Sequence, residues 1–330
     1  MRLGVFTGPR DDWRLAIEKI RVLEDLGIEI AATGESWGRS SIPWLGAVAA
    51  ATSKIRIGTS ILNVFSRTPA AIAQDFAMLE DLSGGRMVLG LGSSGQYLVE
   101  QYHGVPFDRP LRRLREYVEI FDLLIAGQPS QYDGEVFQLG GGFRIDYDRP
   151  RTKVPVLIAA ISPKSIRQAG EVADGVIPIH WPVHLFAQLR EDLHEGARAA
   201  GRPDKTFTIQ PHMHVDILDG SEEDAPKWRE ARRQIQHYIN RMGVVYARML
   251  ERNGYADEVH ASQAAWARRD AEASIAAISD DMVRACQVIG SIDEVREQLK
   301  ERAALVDVQM LYLPPGDPVE VGRWFESVMR

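Results

Sequence analysis

Two glycines flank two hydroxyls in Gly92-Ser93-Ser94-Gly95, so backbone can approach a ligand closely while Ser93 and Ser94 offer hydrogen bonds. A plain Gly/Ser turn is the alternative. Ile161-Ser162-Pro163-Lys164-Ser165 has the makings of a helix start, with Ser162 as cap and Pro163 in the first turn. Free amides and the helix dipole there would attract an anion such as phosphate, although capping alone also explains Ser162, and Lys164 can equally be a solvated charge. His212 and His214 alternate as strand residues do, which turns both side chains to one side. That spacing could ligate a metal, but no third ligand is evident, so no metal is expected and lining a pocket is the preferred role. His180-Trp181 can contact a bound molecule or pack the rim of one.

Short runs rich in Val, Ile and Leu alternate with segments of helical spacing along most of the 330 residues. Strands are expected from Leu3 to Phe6, Glu29 to Thr33, Ile55 to Leu62, Met87 to Leu91, Pro155 to Ile161, Gly175 to Ile179, Thr206 to Ile217 and Val308 to Leu313. Helices between them include Pro69 to Leu82, which stops at Gly84-Gly85, and Leu111 to Ile125, with Leu114, Val118, Phe121 and Ile125 on one stripe. Ser291-x-x-Glu294 reads as a capping box opening a helix to Leu305.

Two stretches break the rhythm. Gly127 to Pro155 holds Glu135 to Leu139 and Phe143 to Asp146, the two arms of an expected hairpin, and Ser221 to Cys286 is helical and too long for one connection. The expectation is one single-domain α/β (β/α)8 TIM barrel, with a hairpin insertion (about 127–155) before strand five and a helical insertion (about 221–286) between strands seven and eight. An open Rossmann-type sheet is the runner-up, disfavoured because no early G-x-G-x-x-G is present.

Composition narrows the partners. Hydrophobic residues make up 45% and charged residues 26%, which fits an ordinary globular chain. Lys and Arg total 39 against 46 Asp and Glu, for a net charge of -7, which opposes binding to nucleic acid or an anionic membrane. The single Cys286 cannot form an internal disulfide, and neither a leader-like nor a spanning apolar run is found, so a cytoplasmic location is expected.

In such a barrel reactive groups sit on loops leaving the C-terminal ends of strands. Those loops carry Thr33-Gly34-Glu35-Ser36-Trp37-Gly38, Gly58-Thr59-Ser60-Ile61-Leu62-Asn63-Val64-Phe65-Ser66-Arg67-Thr68-Pro69, Leu82-Ser83-Gly84-Gly85-Arg86-Met87-Val88-Leu89-Gly90-Leu91-Gly92-Ser93-Ser94-Gly95, Glu100-Gln101-Tyr102-His103-Gly104 and Ala173-Asp174-Gly175. Together, in this order and over nearly the whole chain, they resemble the luciferase-like flavin- and deazaflavin-dependent oxidoreductases, in the coenzyme F420 branch typified by methylenetetrahydromethanopterin reductase. The resemblance implies a barrel with a flat deazaflavin standing in its mouth, a homodimer, and hydride exchange at the ring's C5 with a small organic substrate. An FMN-dependent luciferase-like monooxygenase and a non-catalytic flavin- or deazaflavin-binding protein are the alternatives.

The resemblance also assigns residues. It implies a non-prolyl cis peptide bulging against the ring at Asn63-Val64, with Ser93, Ser94 and Gly95 on the ring or its ribityl chain. Ala159, Ala160, Ile161 and Ser162 would cradle phosphate, closed by Gly175 and Val176, while Trp37 by its own chemistry can wall the ring or the substrate by stacking or simply pack the rim. Related proteins often place an Asp-His pair on the second-strand loop, whereas Glu-Ser-Trp stands here; Glu35 is thus the candidate for proton transfer, or else the partner of an arginine. His103 is a second catalytic candidate near the ring, and Gln96, Tyr97, His180, Trp181 and His212 are expected to line the substrate pocket. Gln96 replaces a Glu found in some sugar-phosphate-oxidising relatives, which disfavours that activity.

Overall fold

The computed structural model describes residues 1–8 and 12–330. The first half alternates as expected: β1 (Leu3–Phe6), α1 (Trp13–Asp25), β2 (Ile30–Thr33), α2 (Ser41–Ala51), β3 (Arg56–Thr59), β4 (Leu62–Asn63), α3 (Pro69–Ser83) and β5 (Met87–Gly92). A short α4 (Gln96–Gln101), missed in the sequence, precedes α5 (Pro110–Ile125). Next come β6 (Tyr132–Asp133), β7 (Gln138–Leu139), β8 (Val156–Ile158), α6 (Pro163–Val172), β9 (Gly175–Val176) and α7 (Phe186–Ala199). The hairpin exists in a different register: Tyr132 pairs Leu139 and Asp133 pairs Gln138, antiparallel, while the expected second arm from Phe143 to Asp146 is not a strand. Glu116 fixes this register, its carboxylate accepting the amides of Glu135, Val136 and Phe137 at the turn.

The expected seventh strand is three pieces, β10 (Thr208–Ile209), β11 (His212–Met213) and β12 (Val215–Ile217). Pro211 has no amide to donate, so the ladder breaks there. On one side β10 pairs β9, and on the other β11 pairs β14 (Gln309–Tyr312). The long sheet runs β10-β9-β8-β5-β3-β2-β1-β14-β11, every pair parallel, with β4 added on β5. Its two end strands are therefore consecutive pieces of one segment, separated by Gln210 and Pro211, and the sheet is strongly curled.

The helical stretch comprises α8 (Asp224–Arg241), α9 (Val244–Leu250), a π-turn at Glu251–Tyr255, α10 (Ala256–Ala267), α11 (Ala271–Ala276) and α12 (Asp280–Cys286). A parallel pair ties it to the sheet, because β12 leaves the main ladder and pairs β13 (Val288–Gly290). Then α13 (Ile292–Ala303), opened by the expected Ser291–Glu294 capping box, leads to β14, and α14 (Pro318–Met329) closes the fold.

Apolar residues separate into two layers. Ile30, Ala32, Val88, Leu157, Ile177, Val308 and Met310 form a cluster on the concave face of the sheet, and a much larger cluster fills the space between sheet and helices. The concave face is crowded: a Cβ on Gly4 would lie 2.3 Å from Met310 Sδ and 2.6 Å from Ile30 Cγ2, so a larger residue there would push those side chains aside. Filling the lower interior leaves the C-terminal strand ends as the place where side chains can meet a ligand.

Candidate functional site

The loop after β3 is laced to β2. Ser60 N–H donates to Thr33 O at 2.6 Å, and Glu35 N–H donates to Ile61 O at 3.1 Å. The non-prolyl cis peptide lies here, between Ser60 and Ile61, and not at Asn63-Val64 as expected. Asn63 is instead a ladder residue opposite Gly92, and Val64 N–H donates to Gly92 O, pairing that requires extended backbone. Asn63 remains of interest. Its Oδ1 accepts the amide of Phe65 at 2.9 Å, which leaves Nδ2 buried with no partner.

Glu35 is engaged at both carboxylate oxygens. Oε1 lies 2.9 Å from Arg67 Nη1, while Oε2 accepts the Ser41 hydroxyl at 2.7 Å and the Ser41 amide at 3.1 Å. Burial works to raise its pKa, but the Ser41 donors and the Arg67 guanidinium outweigh burial and hold the carboxyl below the ordinary range. Glu35 is thus ionised at neutral pH and has no proton to give.

Imidazoles gather around β11, against Ser60. His212 is 6% exposed on β11, and its Nε2 is hydrogen-bonded to Ser60 Oγ at 2.6 Å. Phe6 and Tyr312 flank the ring at centroid distances of 4.9 and 5.6 Å, both near edge-on. His214 stacks on the same Tyr312 at 3.8 Å. His180 follows Ile179, which bridges to His212; its backbone takes a left-handed φ of 51°, and its Nε2 is buried without a partner, as is Trp181 Nε1. Burial pushes His180 down to about 3, with His212 and His237 adding to the effect, and pushes His212 down to about 4. Both rings are neutral near pH 7. Tyr238 of α8 stands edge-on to His180 at 4.6 Å and to Tyr246 of α9 at 4.8 Å, so the helical stretch reaches the strand ends.

The remaining expected residues divide. Ser93 and Ser94 follow β5, Ser94 with a left-handed φ of 59°, and Gly95 caps α4, facing the Met242 carbonyl of the helical stretch. Ala159 and Ile161 lie beyond β8, with Ala159 exposed and Ala160 buried, and Ile161 O accepts a long hydrogen bond from Arg252. Ser162 caps α6 in a reciprocal box with Ser165. Gly175 and Val176 do not reach the rim: they are buried in the ladder, where a Cβ on Gly175 would lie 2.0 Å from Thr208 O. Trp37 is 62% exposed and Tyr97 is 83% exposed. Gln96 donates to Glu100 on its own helix, and His103 packs edge-on against Tyr102 past the end of α4.

Ser60, Arg67, Tyr238 and Tyr246 escaped the sequence reading. Ser60 was inside a quoted motif but unremarked, and Arg67 is one of many arginines. Tyr238 and Tyr246 sit on a helical stretch whose packing no spacing reveals. Thr7, at the end of β1, adds a buried hydroxyl without a partner. A groove of about 810 Å³ lies elsewhere, between α3 and the 140–148 loop, lined by residues such as Met78, Phe143 and Tyr147. It contains none of the strand-end groups. Among the described residues no cluster of three or more His, Cys, Asp or Glu could hold a metal ion.

Comparison with known proteins finds relatives that cover most of the chain. A putative coenzyme F420-dependent oxidoreductase from Mycobacterium tuberculosis is 30% identical over 323 residues, covering 92% of this chain and 91% of the relative. A 5,10-methylenetetrahydromethanopterin reductase from Archaeoglobus fulgidus is 26% identical, covering 86% of this chain and 84% of the relative. The solved structure of the coenzyme F420-dependent tetrahydromethanopterin reductase from Methanopyrus kandleri superposes with a TM-score of 0.83 at 24% identity, over 99% of this chain and 98% of that one. That likeness shows the fold. A family model for luciferase-like monooxygenases matches residues 1–308, and the chain belongs to that family.

Proposed function

We propose that the protein is a coenzyme F420-dependent oxidoreductase that exchanges a hydride between C5 of the deazaflavin and a small organic substrate at the mouth of a single-domain (β/α)8 barrel. On this reading the 127–155 hairpin and the 221–286 helices are insertions, the latter closing over the mouth. The observation that carries the proposal is the set of buried polar atoms left without partners at strand ends: Thr7 Oγ1, Asn63 Nδ2, His180 Nε2 and Trp181 Nε1. Such atoms are costly unless something bonds them, and their position suits a polar, flat ligand. The names of the relatives favour F420 as that ligand.

When bound, the deazaflavin supplies a ring carbon that can accept or release a hydride. The chain's own part is binding and orientation. Asn63 and Thr7 would donate or accept hydrogen bonds from two strand ends, Ser93 and Ser94 would add hydroxyls, and the β8–α6 loop from Ala159 to Ser162 would meet the phosphate-bearing chain. Glu35, held by Ser41 and Arg67, would fix the loop after β2 and act as a positioning residue. Neutral His180 and His212, with Trp181, Tyr238 and Tyr246, would wall the substrate and exclude water.

The test is a titration of apoprotein with F420 and, separately, FMN, following quenching of cofactor fluorescence at fixed salt. Tight F420 binding with much weaker FMN binding is expected. The reverse preference would move the protein to flavin monooxygenase chemistry, and binding of neither would remove the cofactor assignment. The reading also includes a cytoplasmic homodimer, checked by sedimentation of the holoprotein.

A further inference from the structure

We propose that Ser60 and His212 are the proton-transfer pair of this site, Ser60 as the catalytic residue that meets the substrate oxygen and His212 as the positioning base behind it. The inference rests on the F420 reading above. It starts from a vacancy in the chemistry: both Glu35 oxygens are committed to Arg67 and Ser41, so the loop after β2 offers no free acid or base. Ser60 lies directly after β3, half-buried at the rim, and its hydroxyl is 2.6 Å from His212 Nε2. Its backbone is fixed through its amide to Thr33 O. His212 is buried behind it, its ring plane set by Phe6 and Tyr312. A half-exposed hydroxyl backed by a buried, oriented imidazole is the arrangement that moves a proton without exposing the base to water.

The direction follows from the resting state. Burial keeps His212 neutral, so Nε2 can accept the Ser60 proton. The matching substrate carries a hydroxyl on the carbon that loses hydride. That carbon is oxidised to a carbonyl, its hydride passing to the deazaflavin, which is reduced. The substrate O–H proton goes to Ser60 Oγ as the serine proton moves to His212 Nε2, and one proton is then released to solvent. His180, next to His212 through the Ile179 bridge, and Tyr238 beyond it would hold the rest of the substrate.

The test uses the F420-loaded protein with 2-propanol and cyclohexanol as probes, following loss of the oxidised deazaflavin's visible absorbance. Alcohol-dependent bleaching is expected, with kcat lowered about a hundredfold or more in Ser60→Ala and His212→Gln, restored in part by Ser60→Thr, and with F420 affinity unchanged in all three. Unchanged affinity reports that the variants fold. A readout independent of turnover is the imidazole nitrogen spectrum of histidine-labelled protein: Nε2 of His212 should be an unprotonated acceptor at neutral pH, and Ser60→Ala should shift that signal. Bleaching in Ser60→Ala equal to wild type, no bleaching with either alcohol, or a protonated Nε2 would each overturn the pair. Failure to bind F420 would instead remove the reading beneath it.

Discussion

Arg67 Nη1 stands 2.9 Å from Glu35 Oε1, so the loop leaving β4 is clasped to the loop leaving β2 at the rim of the sheet. Both side chains are mostly buried, and Ser41 completes the carboxylate's shell. Glu35→Gln should therefore loosen the rim more than it alters any titration. We expect a loss of ~1–2 kcal/mol in denaturant unfolding, weaker F420 binding, and no change in pH profile near neutrality, because the native carboxylate is already ionised there. A new titration near pH 7 that disappears in Glu35→Gln would contradict this role.

His180 and His212 make the fold sensitive to acid. Both have native pKa values far below the ordinary imidazole, about 3 and about 4, because burial disfavours the charged rings. In the unfolded chain they protonate near the usual value of about 6.5, so the unfolded state binds more protons between that pH and the native values. Their contribution to stability is complete above pH 6.5 and is lost progressively as pH falls from there to the native values of about 4 and about 3, several kcal/mol between them. Unfolding midpoints measured from pH 7.5 to 4 should drop steadily, and the drop should shrink in His180→Gln/His212→Gln. A pH-independent midpoint over that window would exclude buried neutral rings.

Glu80 of α3 supports the start of β5. Its carboxylate is fully buried, accepts the Met87 amide at 2.9 Å and pairs with Arg151 through Nε at 2.8 Å and Nη2 at 2.6 Å. Arg151→Ala strands a buried charge and should cost about 3 kcal/mol, whereas Glu80→Gln, which keeps the shape and most acceptors, should cost less. The double variant Glu80→Gln/Arg151→Ala should be more stable than Arg151→Ala alone. Additive losses would show that the two groups are not coupled.

Much of this was legible because it is local. Ser291 and Ser162 announced helix starts that the structure bears out as reciprocal caps, and runs such as Met87 to Leu91 are apolar throughout because both faces of that strand are buried. What was not legible depends on distant partners. The Ser60–Ile61 peptide was displaced in the reading to Asn63-Val64, since only the pairing of β4 with β5 shows that Asn63 must be extended. Pro211 was visible, yet the consequence, a strand whose halves serve opposite ends of the sheet, needs the neighbours on both sides. Tyr238 and Tyr246 face the rim because α8 and α9 fold back over it, a placement that neither helical period nor composition encodes.

That folding back is anchored by β12 and β13, and Asp216 sits in the middle of the anchor, opposite Ile289. Burial, reinforced by nearby Glu230 and only partly offset by Lys227, raises its pKa to about 6. The sign is opposite to that of the paired carboxylates: the native state holds its proton more tightly than the unfolded state. Stability from this group is therefore greatest below the unfolded value near 3.9 and falls as pH rises toward 6. Asp216→Asn, which keeps the shape without the charge, should stabilise the protein by about 2 kcal/mol at pH 7, and this gain should vanish near pH 3.5. Because β12 joins the sheet to the helices bearing Tyr238 and Tyr246, hydrogen exchange in α8 and α9 should slow in the variant at pH 7. An equal gain at both pH values would trace the effect to packing and not to the carboxylate charge.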